Sequence, residues 1–201
     1  MKWLLVHNHN IELAHQWQHY FSDLADVEII DADICTVDAD AIVSPANSFG
    51  FMDGGLDYAL SERFGWHLQD KLQTLISQRP LRELLVGEAV LLPTEDAKTP
   101  WLISAPTMRV PMKLRQSINA YLAMKAILVT AKHSQAVPAI RTVAIPGLGT
   151  GVGGLSPDVA ALQMWTAYRE IVLEDWSHPA GFGETQMHHL SLNTREIMIW
   201  D

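Results

Sequence analysis

Cysteine is nearly absent: Cys35 stands alone in 201 residues. No internal disulfide and no cysteine-rich zinc site can form within the chain. A reducing compartment is the default for such a sequence, and the cytoplasm is the expected location. Basic residues are scarce as well. Fourteen Lys and Arg against 23 Asp and Glu give a formal net charge of −9. Binding to a phosphate polymer needs a basic surface that releases counterions, and no basic run is present. A long nucleic acid is therefore not an expected partner. No apolar run approaches the roughly 20 residues of a membrane span. The start, Met1-Lys2-Trp3-Leu4-Leu5-Val6-His7-Asn8, lacks the apolar segment and cleavage site of a signal peptide. No membrane partner is expected.

What is present is a balanced globular composition, 48% hydrophobic and 18% charged, of a length that suits one substantial core. Short apolar runs alternate with longer amphipathic ones. Strands are predicted at residues 3–6, 27–30, 41–43, 86–92, 101–104 and 142–145, and helices over 11–24, 56–79 with a break at Gly65, 113–133 and 157–176. Ser156 and Pro157 form a helix start, as a cap and first-turn pair. Two further strands are predicted around 189–192 and 197–200. The alternation implies one α/β domain over 1–201, with a mixed, mostly parallel sheet covered by helices on both faces. Residues 177–201 form a divergent C-terminal segment.

Two glycine loops follow two of the buried strands. The first is Asn47-Ser48-Phe49-Gly50-Phe51-Met52-Asp53-Gly54-Gly55. The second, Pro146-Gly147-Leu148-Gly149-Thr150-Gly151-Val152-Gly153-Gly154, carries five glycines in nine residues. Glycine lets backbone amides approach an anion, and each loop enters a helix N-terminus that favours phosphate. In open α/β sheets ligands sit beyond the carboxyl ends of the strands, where such loops lie. Two facing loops suit a diphosphate. Neither contains the G-x-x-x-x-G-K-[ST] of a P-loop.

Asp33-Ile34, Asp40-Ala41-Ile42-Val43-Ser44-Pro45-Ala46-Asn47 and Asp53-Gly54-Gly55-Leu56-Asp57, followed by the segment 145–154, together resemble the macro domain family in order and spacing. The resemblance implies ADP-ribose, or a molecule carrying it, in a cleft above the strand ends, with no cofactor. It assigns the adenine to Asp33 and the backbone at Ile34, the distal ribose to Asn47, and the ribose and its phosphate to Gly54 and Gly55. Gly147, Gly149, Thr150, Gly151, Val152 and Gly153 would wrap the diphosphate. Asp57 falls where hydrolytic members carry a catalytic aspartate. The chain departs from the family pattern where Ser44-Pro45 replace Asn-Ala and where Asp53 shortens the glycine run.

Hydrolysis at the anomeric carbon needs a positioned water and nearby negative charge for an oxocarbenium-like transition state. Asp57 is the candidate general base, with Asn47 as the residue that fixes the ribose. In the first turn of a helix, Asp57 could equally serve the helix dipole. Arg109, after a strand end, is a further candidate for the ligand. His7 and His9 follow the first strand but suggest no third metal ligand. The adjacent His188-His189 would face opposite ways in a strand, so no metal is expected. A mono-ADP-ribosyl hydrolase, a non-catalytic ADP-ribose reader and a partner-binding protein without a ligand all remain open at this level. The sequence does not fix the oligomeric state.

Overall fold

The computed structural model describes residues 1–192. Six strands form one sheet: β1 (Lys2–His7), β2 (Val27–Asp31), β3 (Ala41–Ser44), β4 (Val90–Pro93), β5 (Trp101–Ser104) and β6 (Thr142–Pro146). Their spatial order is β2-β1-β6-β3-β5-β4, and every pairing is parallel except β4 with β5. Pro93 ends the edge strand β4, a position where its missing N–H costs no ladder bond. The α/β class and the mostly parallel sheet agree with the sequence pattern.

Alternation along the central strands sends side chains to two cores. Trp3, Leu5, Val43, Val143 and Ile145 face α1 (Ile11–Phe21), α4 (Asn119–Lys132) and α5 (Pro157–Ile171). Leu4, Val6, Ile42 and Ala144 face α2 (Gly55–Phe64) and α3 (His67–Ser77). Near-continuous apolar strands such as Ala41-Ile42-Val43 are thereby buried on both sides, as parallel sheets require. The strand ends His7, Ser44 and Pro146 belong to β1, β3 and β6, which are neighbours in the sheet, so their following loops meet at one edge.

Several boundaries differ from the sequence reading. The helix expected from residue 113 begins at Asn119, because Leu114 is drawn elsewhere: it is buried and its amide donates to Gly153 O at 2.8 Å. α1 stops at Phe21, and α5 stops at Ile171. Ser156 takes the N-cap position of α5 without a side-chain cap bond, with Pro157 at its start. The strand expected at 189–192 is instead the end of a helix, α6 (Phe182–Leu192). Its last turn is fixed by tertiary contacts, since Leu192 is buried and its carbonyl accepts from Gln163 Nε2 at 3.0 Å. The strand expected at 197–200 lies outside the described residues.

α6 is also tied by charge. Glu170 is buried and accepts from Tyr121 Oη at 2.8 Å and Lys125 Nζ at 3.0 Å, and pairs with His188 Nε2 on α6 at 2.8 Å. Removing one member of such a buried cluster strands the others. Glu170→Ala is expected to cost about 3 kcal/mol of stability, measured by chemical denaturation.

Candidate functional site

The loops after β1, β3 and β6 enclose a cleft of about 640 Å³, a volume suited to a ligand of nucleotide size. Asp33, Ile34, Asn47, Gly54, Gly55 and Asp57 line it from one side. Gly147, Gly149, Thr150, Gly151, Val152 and Gly153 line it from the other. The residues that the family resemblance assigned to the ligand therefore meet in one place, whereas Arg109, the further candidate, does not join them. No Lys or Arg is among the lining residues.

The first loop leaves β3 as a continuation of the parallel ladder. Ala105 N donates to Ser44 O, Thr107 N to Ala46 O and Ser48 N to Arg109 O, at 3.0, 3.2 and 3.2 Å. Asn47 holds the next turn together. Its Oδ1 accepts from the amides of Phe49 and Phe51, and its Nδ2 donates to Phe51 O at 2.8 Å. Asn47 thus lines the cleft while its carboxamide braces the loop. Arg109 is not a lining residue. It makes a two-pronged pair with Glu83 at 2.6 and 2.8 Å and lies over the Phe49 ring.

The loop ends at α2, whose N-cap Gly54 makes no side-chain cap bond. The first-turn amides of α2 are left for another acceptor. A Cβ at Gly54 or Gly55 would meet nothing within 4 Å. Asp57 lies in this first turn, only 9% exposed, and accepts from Ser44 Oγ at 2.6 Å. Burial pushes its carboxyl up to about 6, with the Ser44 hydroxyl pulling in the opposite direction. A carboxylate poised near neutrality is what proton abstraction needs.

The second loop is shaped by close approaches. A Cβ at Gly153 would sit 2.5 Å from Gly149 O, and one at Gly147 would sit 2.6 Å from Leu13 on α1. Gly149 has φ +72, a region that side-chain-bearing residues rarely adopt. Among the described residues, the amides of Thr150, Gly151, Val152 and Gly153 donate to no protein acceptor. Successive unpaired amides of this kind form an anion-binding concavity. Leu114 N and Lys113 Nζ clasp the loop from outside, on Gly153 O and Val152 O at 2.8 and 2.9 Å.

On the remaining wall, Asp33 Oδ1 accepts from Cys35 N at 2.9 Å, capping a short 3-10 turn over Ile34–Thr36. Burial, then the Asp33 charge, pushes the Cys35 thiol up to about 11, so it is no nucleophile at neutral pH. His7, Asn8 and Asn10 complete this wall. The sequence points to His7 at the end of the first strand but not to Asn8 and Asn10, because the loop after β1 has no glycine signature, and His9 is not among the lining residues. His7 is buried against Trp17, with Nδ1 3.6 Å from Asp31 Oδ1. Ser44 was also missed as a partner of Asp57, though its departure from the family pattern was visible. Among the described residues, no group of three or more His, Cys, Asp or Glu side chains is arranged to hold a metal ion, and no helix is long and apolar enough to cross a membrane.

The family model of the macro domain matches residues 43–164. The chain belongs to the macro domain family. An uncharacterized protein of Aquifex aeolicus is 35% identical to this macro domain protein over 139 residues, 69% of this chain and 78% of that one. An uncharacterized protein of Aeropyrum pernix is 36% identical over 62% of this chain and 60% of its own length. Among solved structures, the Oceanobacillus iheyensis macrodomain with ADP shares the fold at a TM-score of 0.58 and 20% identity, covering 72% of this chain and 75% of that one. The macrodomain of Mycobacterium tuberculosis DarG does so at 0.57 and 20%, covering 70% and 88%. The Thermosipho africanus DarTG in complex with ADP-ribose matches at 0.57 and 18%, over 72% of this chain and 38% of its own.

Proposed function

We propose that this macro domain binds ADP-ribose and hydrolyses the bond between its distal ribose and a conjugated group. The observation that carries the reading is Asp57, a buried carboxylate raised to about 6 at the floor of a cleft whose opposite wall offers unpaired amides. Main-chain amides of residues 150–153 and the N-terminus of α2 hold the diphosphate. The 3-10 turn at Asp33 and Ile34 receives the adenine. Asp57 accepts a proton from water as the water oxygen attaches to the anomeric carbon. The bond to the conjugated group breaks, that group leaves with the electron pair, and the proton passes on to it. The net charge of −9 favours a conjugate other than a long polyanion.

A mono-ADP-ribosylated substrate incubated with the protein should release free ADP-ribose. Calorimetry should detect ADP-ribose binding with little response to salt. With no Lys or Arg on the lining, added KCl should change Kd by no more than about threefold, because screening acts mainly on charged side chains. A second reading, binding without turnover, is favoured by the bracing role of Asn47, whose carbonyl oxygen is already engaged by two loop amides. Tight binding without release across protein- and nucleic-acid-linked substrates would select it.

A further inference from the structure

The floor of the cleft contains a serine whose role is set by contact rather than by motif. Ser44 ends β3, a strand paired on both sides, and its side chain has no exposed surface. Its Oγ donates to Asp57 Oδ1 at 2.6 Å, the length of a charge-assisted O–H···O⁻ bond. Asp57 lines the cleft and Ser44 does not. The hydroxyl therefore acts on a ligand only through Asp57.

We propose that Ser44 is the positioning residue for the water-activating carboxylate, holding Oδ1 so that Oδ2 is the oxygen that takes the proton. This inference rests on the hydrolase reading above. A carboxylate anchored through one oxygen cannot flip without breaking that bond, so the acceptor atom keeps one place relative to the anomeric carbon. β3 makes the anchor rigid, since Ser44 O also accepts from Ala105 N at 3.0 Å. The hydroxyl opposes the effect of burial as well, because it favours the ionised carboxyl.

Other charges do not share this task. α2 packs against β3, α3 and the 3-10 turn. β3 carries no titratable group. On α3, His67 and Lys71 are both paired with Glu95. Asp33 and Cys35 at the turn, and Asp53 in the loop, contribute nothing to the Asp57 shift, which has burial and Ser44 as its only causes.

The test is Ser44→Ala, with Ser44→Thr as the variant that keeps a hydroxyl. Ser44→Ala should lower kcat at neutral pH while leaving KM in place. The acid limb of its pH profile should move up by about one unit, and Ser44→Thr should restore both. Carbon-13 NMR titration of the Asp57 carboxyl, which needs no turnover, should show the same upward move in Ser44→Ala. An unmoved titration and acid limb, with kcat falling only as far as the melting temperature falls, overturns the proposal. If the wild-type protein releases no ADP-ribose, the hydrolase reading fails by itself. The NMR titration then still decides: a moved carboxyl supports the Ser44 anchor, and an unmoved one overturns it.

Discussion

Asp57→Asn is expected to remove turnover, by about a thousandfold in kcat, and to make the protein more stable at the same time. The first effect follows from loss of the buried carboxylate at the floor of the cleft. The second follows from the cost of holding a charge there. Asp57 is 9% exposed and its carboxyl stands at about 6 rather than 3.8. Between those two values the folded protein binds a proton that the unfolded chain does not, so stability declines as pH rises through that window and is level above it. Two pK units correspond to about 3 kcal/mol. An uncharged carboxamide that still accepts from Ser44 escapes this cost. Thermal melts should therefore coincide near pH 4 and separate by about 1–3 kcal/mol at pH 7 and above, with the variant the more stable. ADP-ribose binding should survive. Coinciding melts at pH 8, or turnover that persists in the variant, would remove Asp57 from its role.

The second large effect belongs to the glycine loop, where two neighbouring positions should fail in different ways. At Gly153 a Cβ would lie 2.5 Å from the Gly149 carbonyl and 2.8 Å from Leu114, and a backbone oxygen cannot yield as a flexible side chain can. Gly153→Ala must displace the loop from its clasp, so both melting temperature and ADP-ribose affinity should fall. At Gly151 a Cβ would meet nothing within 4 Å, and the residue lines the cleft. Gly151→Val should fold as well as the wild type and yet lose about 100-fold in affinity, close to 3 kcal/mol, because the added atoms occupy the ligand's space. A melting curve and a calorimetric titration of each variant distinguish the cases. Undiminished binding in Gly151→Val would show that the second loop does not hold the ligand.

The layout of sheet and cleft was largely legible because its signals are local. Apolar runs of strand length, glycines after them and an acid in a first helical turn are all read within a few residues. The reading erred where tertiary contacts outweighed local pattern. Residues 113–118 carry helical periodicity, but Leu114 earns more contact under the glycine loop, between Gly149 and Gly153, than a further helical turn would provide. The stretch before Leu192 has too few apolar positions to fix its period, and Gln163, Glu170 and the core settle it as helix. Asn47 was found by its motif, but a motif cannot tell that its carboxamide is bound to Phe49 and Phe51. Ser44 and Asp57 are 13 positions apart, and only the fold brings them to 2.6 Å.

The strand order has a consequence for how the chain is made. β6 inserts between β1 and β3, and its registers with them join Lys2 to Thr142 and Ala41 to Val143. On a ribosome, β1 and β3 therefore emerge long before the strand that bridges them, each with an open edge. The second glycine loop follows β6 directly, so a complete cleft is among the last features to appear. Until then the two edges are free to pair with other chains.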